Sequence, residues 1–293
     1  MKEWAVEDGV LCYEIRNAGA VVTAFRGTAA TVVIPGQLDT VPVTGVGAKA
    51  FLSRKQLRRV ILPDTVEEIG DWAFAYCENL KEIELPNRHI RFGKSVFLNC
   101  TSLRALLVRG KGAGDGVLLA AAVTALDAPF LLDVPECGSS QWLARWDSRM
   151  LEILHRPDDE GYTGQVLCGE EDYGSTDWNA YLEKRRREKV RLLLLRLCNA
   201  EQLEESVRAE AEEYLRMHTK GSAGDETWQV ILREYADDRP VYELFVRIGC
   251  VTDENFEAIL TDVGADHPEL KAYLMKYRTD RPRENDLFDQ LEL

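Results

Sequence analysis

Histidine is scarce, at four in 293 residues, and none of the four sits in an H-E-x-x-H or C-x-x-C arrangement. His89, His155, His218 and His267 stand apart from one another, which excludes the commonest zinc hydrolase and metal-ligand patterns. Neither a G-x-S-x-G elbow nor a G-x-G-x-x-G turn occurs. Around Gly110-Lys111-Gly112 the residues miss a P-loop, because glycine stands where serine or threonine is required. No window reaches the ~20 apolar residues of a membrane span. The best two, Val117 to Leu126 and Leu192 to Leu195, are cut short by Asp127 and by Arg191 and Arg196. Basic residues are a minority, 36 against 50 acidic, and the net charge of −14 repels phosphate polymers and anionic membranes. The seven cysteines are odd in number and form no close pair, a pattern that suits a reducing compartment. No apolar stretch of signal-peptide length follows Lys2, since Glu3, Glu7 and Asp8 interrupt it, so cytoplasmic residence with free thiols is expected. The acidic clusters Asp158-Asp159-Glu160 and Glu170-Glu171-Asp172 fit no EF-hand loop and read as solvated. These absences predict a chain without catalytic role, cofactor or metal.

What the chain does have is repetition. Val46-Gly47-Ala48-Lys49-Ala50-Phe51 returns 23 residues later as Ile69-Gly70-Asp71-Trp72-Ala73-Phe74, and again as Phe92-Gly93-Lys94-Ser95-Val96-Phe97. A second phrase keeps that period: Leu57-x-x-Val60-x-Leu62-Pro63, Leu80-x-x-Ile83-x-Leu85-Pro86, Leu103-x-x-Leu106. Ile34-Pro35 reads as an irregular opening copy, with five extra residues before Val46. The alternation at the end of the second phrase predicts a short strand. One unit has too little apolar surface to fold alone, so copies must stack around a shared core. Leu57, Val60 and Leu62 then point inward beneath Leu80, Ile83 and Leu85, and beneath Leu103 and Leu106. Ala50/Phe51, Ala73/Phe74 and Val96/Phe97 fill the opposite side of the coil. Gly47, Gly70 and Gly93 mark a turn that needs either positive φ or close backbone approach.

The phrases 69–86 and 92–108 resemble leucine-rich repeats of the BspA, or Treponema pallidum, type, over roughly residues 30–110. That resemblance implies a bacterial β-rich solenoid with short parallel strands and a recognition surface. Many such proteins are secreted or surface-displayed adhesins. The family tends to place a cysteine before the repeat leucine; Cys77 and Cys100 match, while Arg54 holds the place in the first copy. The two thiols read as packing residues, with a zinc pair as the alternative. Residues 1–29 are predicted to cap the stack through strands at Leu11 to Ile15 and Ala20 to Phe25, joined at Asn17 to Gly19.

The texture changes after the repeats. The glycine-rich stretch 111–116 reads as a linker, and residues 117–278 as a helical domain. Trp142, Leu143, Trp146, Met150, Leu151 and Leu154 lie on one helical face, and a polar gap runs from Pro157 to Ser175. Helices are expected over about 178–197 and 201–217, with Asn199-x-x-Gln202 as a capping box between them. A period of 28 pairs Asp225-Glu226 with Asp253-Glu254, Ile231-Leu232 with Ile259-Leu260, and Asp238-x-Pro240 with Asp266-x-Pro268. Trp228 corresponds to Phe256, which predicts an αα repeat at 225–277. Residues 279–293 read as a charged tail whose Leu287, Phe288, Leu291 and Leu293 can dock locally or on a partner.

The fold class is therefore α+β: an N-terminal β-rich leucine-rich-repeat solenoid followed by an all-α helical-hairpin domain. The expected function is protein binding by an adaptor or scaffold. Its contact residues are those pointing outward from the repeat strands: Arg59, Ile61, Glu82, Glu84, Ala105, Leu107 and Arg109. Two alternatives remain. One is a surface adhesin exported by a non-obvious route. The other is a nucleic-acid-associated protein using the basic helix Lys184-Arg185-Arg186-Arg187-Glu188-Lys189-x-Arg191, which otherwise pairs with acids of 201–213.

Overall fold

The computed structural model of the chain describes residues 1–162, 177–219 and 225–280. Two compact units divide at Ile153/Leu154. The first opens with an antiparallel meander, β1 (Lys2–Val6), β2 (Gly9–Arg16) and β3 (Gly19–Gly27). Asn17 and Ala18, both left-handed, make its second turn, at the predicted place. Eight short strands follow: β4 (Thr31–Val33), β5 (Gln37–Leu38), β6 (Val41–Val46), β7 (Arg59–Ile61), β8 (Glu68–Ile69), β9 (Glu82–Leu85), β10 (Arg91–Phe92) and β11 (Ala105–Val108).

The chain winds these strands into two parallel stacks. One is the sheet β4-β7-β9-β11, in which Val60 pairs with Ile83 and Ile83 with Leu106, a step of 23 each time. In the other, β3, β6, β8 and β10 run parallel, with β2 and β1 added antiparallel beyond β3. The solenoid is what the fixed period requires: one coil per repeat, closed against the next by backbone hydrogen bonds. The irregular opening copy has a physical form. Val32 pairs with Val60, a step of 28, and the extra residues fold out as the β5–β6 hairpin with Asp39 and Thr40 in its turn.

The inward residues named from the sequence, Leu57, Val60, Leu62, Leu80, Ile83, Leu85, Leu103 and Leu106, are all buried. Opposite them the phenylalanines stack in a ladder that begins one member earlier than the sequence phrase suggests. Ring centroids lie 5.6 Å apart for Phe25–Phe51, 5.1 Å for Phe51–Phe74 and 6.1 Å for Phe74–Phe97. The glycines serve close approach rather than positive φ. A Cβ on Gly70 would stand 2.6 Å from the Ala48 nitrogen, and one on Gly93 2.5 Å from that of Asp71. The left-handed positions are instead Lys49, Trp72 and Ser95, and then Ser53, Tyr76 and Asn99, each trio in steps of one repeat. The thiols of Cys77 and Cys100 donate to the carbonyls of Phe51 and Phe74 at 3.0 and 3.1 Å, so each ties its own repeat to the one before.

The glycine-rich stretch is not a linker. Residues 113–116 are the first turn of α1 (Ala113–Thr124), which packs on β11 so closely that a Cβ on Gly116 would meet the Leu106 carbonyl oxygen at 2.8 Å. A 3₁₀ turn (Pro129–Leu131) and α2 (Ser140–His155) complete the cover. Trp142 Nε1 donates to the Leu131 carbonyl at 2.9 Å, and Trp146 Nε1 to that of Leu118 at 3.0 Å. The physical reason is the last strand. The outer edge of β11 carries backbone groups with no further repeat to pair them, and a helix lying over it shields that edge. These helices therefore belong with the solenoid, and the unit boundary lies near residue 153 rather than at 111–116.

The second unit contains α3 (Trp178–Cys198), α4 (Glu205–Met217), α5 (Glu226–Glu234), α6 (Arg239–Arg247), α7 (Phe256–Val263) and α8 (Pro268–Asp280). Asp177 caps α3 by accepting from the Asn179 amide at 2.9 Å. The expected capping box at Asn199 and Gln202 does not form. Asn199 is the C-cap of α3, Gln202 is left-handed, and Glu204 is the N-cap of α4. Buried Arg196 decides this by donating to the carbonyls of Asn199 and Glu201, which folds the chain back before the next helix. The pairs α5–α6 and α7–α8 each carry proline in the first turn of the second helix, Pro240 and Pro268. Trp228 and Phe256 are both buried. Trp228 stacks on Phe245 at 5.7 Å and donates to Asp262 at 2.9 Å. Ahead of α7, Thr252 and Asn255 bond reciprocally: the Thr252 amide donates to Asn255 Oδ1 at 2.8 Å and the Asn255 amide to Thr252 Oγ1 at 3.3 Å. The acidic cluster 170–172 and the tail residues Leu287, Phe288, Leu291 and Leu293 lie outside the described residues.

Two outcomes are expected. Phe74→Ala removes a ring held between two others, and lowers the unfolding free energy in a urea titration by about 3–5 kcal/mol. Burial pushes the Cys77 thiol up to about 11 and the Cys100 thiol up to about 12. At pH 8 neither is alkylated by iodoacetamide in the native protein, as read by peptide mass mapping, whereas both react in urea.

Candidate functional site

Because Val60, Ile83 and Leu106 point inward, their strand neighbours point out. The register lines these up in two rows: Thr31, Arg59, Glu82 and Ala105, then Val33, Ile61, Glu84 and Leu107. Of the seven residues expected to form a contact surface, Arg59, Ile61, Glu82, Glu84, Leu107 and Arg109 are half-buried and share this face. Ala105 does not serve: it is 5% exposed, on the last strand of the stack, which α1 packs against. The charged members hold one another. Glu84 takes Arg109 Nε at 2.8 Å on one side and Arg59 at 3.5 Å on the other, and Arg59 Nε stands 3.8 Å from Glu82. Arg109 also reaches Asp64 and the Leu62 carbonyl. Such solvent-facing pairs contribute about 0.2–1 kcal/mol each, so they set the face's side-chain order more than its stability.

Two sets of residues on this face were not legible from the outward-strand rule. Thr31 and Val33 belong to it, and Val33, 55% exposed beside Ile61, extends the apolar centre. The five-residue insertion hid their register. Arg58, Lys81 and Arg104 form a column one residue ahead of β7, β9 and β11. All three are exposed, and among the described residues no carboxylate pairs with them. The 23-residue period alone would have disclosed this column. Neighbouring strands lie about 4.8 Å apart, so stacked like charges here repel by up to about 1 kcal/mol per pair even in water. An anionic partner would relieve that repulsion.

The basic run of α3 is otherwise engaged, among the described residues, at every position but Lys184. Its partners are not the acids of 201–213. Arg186 Nε meets Asp158 at 2.8 Å and its Nη1 meets Glu226 at 3.1 Å, while Arg191 is held by Glu234 at 2.6 Å. Arg185 pairs with Glu188, and Arg187 with Glu183 and Gln229. Buried Lys189 donates to Asp158 and to the Arg156 carbonyl, both at 2.7 Å. The run binds α3 to α5 and to the segment after α2, which takes its charge away from a nucleic-acid backbone. Burial alone would raise the Asp158 carboxyl, but the hydrogen bonds from Lys189 and Arg186 outweigh it and hold the pKa below the ordinary carboxylate value. A carboxylate lowered on folding stabilises above its unfolded pKa, near 4, and loses that effect as pH falls through its folded one. Asp158→Asn is therefore expected to destabilise by about 3 kcal/mol at pH 7. The gap from the parent protein should shrink in denaturant melts run below pH 4.

Among the described residues no group of three or more His, Cys, Asp and Glu could hold a metal, and no helix is long and apolar enough to cross a membrane. Residues 25–111 match the family described as the BspA type leucine rich repeat region, in six copies. No curated protein matches the chain. Among solved structures, the leucine-rich-repeat protein of T. pallidum is 35% identical over 35% of this chain and 48% of its own, with a TM-score of 0.33. A leucine-rich-repeat protein from Bacteroides capillosus is 28% identical over 35% of this chain and 78% of its own, with a TM-score of 0.31. A leucine-rich cell surface protein from Faecalibacterium prausnitzii is 24% identical over 37% and 32%, with a TM-score of 0.31. The chain thus spans about half the length of the T. pallidum protein it matches. With its 23-residue coil, phenylalanine ladder and parallel strands, the segment 25–111 is a leucine-rich-repeat region of the BspA type.

Proposed function

We propose that the chain is a non-catalytic adaptor whose strand face binds an acidic segment of another protein. Leucine-rich-repeat proteins are generally protein-interaction modules. The observation that carries the finer reading is the column Arg58, Lys81 and Arg104, three unpaired cations in a chain of net charge −14. It stands one residue ahead of the row Arg59 and Glu82, on strands whose outward positions also carry Val33 and Ile61. An apolar contact rimmed by charge is what protein interfaces present. The paired state of Arg185, Arg186, Arg187, Lys189 and Arg191 weakens the nucleic-acid alternative, and no observation in the described residues favours an adhesin. Cytoplasmic residence is part of the proposal, supported by the free state of all six described cysteines. Cell fractionation checks it.

Affinity capture with the full chain tests the reading. A single stoichiometric protein is expected, lost at least tenfold when Arg58, Lys81 and Arg104 are all changed to glutamate, and kept when Glu82 and Glu84 are changed to lysine. Exposed substitutions of this kind leave the thermal midpoint nearly in place. Full retention of the partner by the triple-glutamate chain, or no partner at all, overturns the proposal.

A further inference from the structure

Arg58, Lys81 and Arg104 stand at one level of three successive coils, each immediately ahead of its strand. Their main chain is spent on holding coil to coil. The Arg58 amide donates to the Ala30 carbonyl at 2.7 Å, the Lys81 amide to the Arg58 carbonyl at 2.8 Å, and the Arg104 amide to the Lys81 carbonyl at 2.9 Å. The next amide in each coil, that of Arg59, Glu82 or Ala105, shares the same acceptor at 3.0, 3.2 and 3.2 Å. An incoming strand finds none of these amides free, nor the carbonyls of Arg58 and Lys81, so it cannot extend a sheet here. What the column offers a partner is charge. All three side chains are exposed, and among the described residues no carboxylate pairs with them. The charges next to them are already matched: Lys55 by Glu78 at 3.3 Å, and Arg59 by Glu82 and Glu84 at 3.8 and 3.5 Å.

Coils joined as paired strands repeat about every 4.8 Å, which spreads the three cations over about 9.6 Å. An α-helix rises about 5.4 Å per turn, and acids at i, i+4 and i+7 cover about 10.5 Å along one side of it. An extended segment sets same-side residues about 6.7 Å apart, so three of its acids overrun the column by about 4 Å. A helix also arrives with its own backbone hydrogen bonds made, which suits a face whose main-chain groups are taken. Like charges one turn apart weaken a free helix, as stacked cations weaken the column, and each relieves the other on contact. We propose that the partner of this column is an acidic α-helix lying along the stacking direction, with carboxylates at i, i+4 and i+7 against Arg58, Lys81 and Arg104. This rests on the strand-face reading and adds the partner's conformation to it.

Fluorescence anisotropy of labelled alanine–glutamine peptides with the full chain at low salt tests it. One peptide is stapled as a helix and carries glutamates at i, i+4 and i+7. A second has the same three glutamates at i, i+2 and i+4 between prolines, which keep it extended. The helical peptide is expected to bind at least tenfold more tightly than the extended one, and to weaken as salt screens the charges. Its binding is expected to fall at least tenfold when Arg58, Lys81 and Arg104 are all changed to glutamine, and by a smaller factor with Lys81→Gln alone, which serves if the triple variant misfolds. Equal or tighter binding of the extended peptide, still lost in the glutamine variants, overturns the helical partner and leaves the acidic strand-face reading in place. Binding of neither peptide, or binding unchanged in both variants, overturns that reading as well.

Discussion

Everything in the first unit depends on one constraint: each coil must present the same residue at the same height as the coil above it. Phe51 is stacked only because Phe25 and Phe74 lie on either side, and Val60 is dry only because Val32 and Ile83 flank it in register. No single repeat has a core of its own, so stability lies in the contacts between copies and grows with the number stacked. The glycines at 70 and 93 follow from the same rule, since the coils approach until no side chain fits between successive turns. So do the recurring left-handed residues, which accept a backbone cost of about 1–2 kcal/mol each because the corner they turn is shared by every copy.

A stack of this kind has two ends, and the chain treats them differently. At the start, β1 and β2 pair onto β3 and carry the second sheet away from the first coil. At the finish, α1 lies against β11, with Trp142 and Trp146 pinning the covering helices through hydrogen bonds to main-chain carbonyls. The stacked interior serves stability, which leaves the outward strand positions free to vary. There the residues are mixed in sign, with ion pairs ordering Arg59, Glu82, Glu84 and Arg109 and an unpaired cation column at their margin. The helical unit uses charge differently. Its basic helix is a structural strap, with Lys189 and Arg186 closing on Asp158.

The exceptions to the repeat carry the functional information. Where Cys77 and Cys100 each satisfy a carbonyl, Arg54 breaks the column, and its buried Nε has no acceptor among the described residues. Where strands step by 23, the first pairing steps by 28 and throws out a hairpin, bringing Val33 beside Ile61. A position that departs from its column is released from the packing duty that fixes the others, and so is open to a different use.

The sequence by itself determined the solenoid. The period, the inward leucines and the phenylalanine positions follow from spacing, because a stacked coil repeats its side-chain directions with its residues. The outward set was legible for the same reason, apart from Ala105, whose burial against the end of the stack is a property of where the repeats stop. Tertiary structure alone decided where the first unit ends. A glycine-rich stretch looks like a linker by composition, yet Gly116 is there because α1 must approach β11 within van der Waals contact. Tertiary structure also chose the partners of the basic helix and the cap of α3. Ion pairs and carbonyl hydrogen bonds are made by whatever the fold brings within about 3 Å, and Asp158, Glu226 and Glu234 reach α3 only once the chain has turned back on itself.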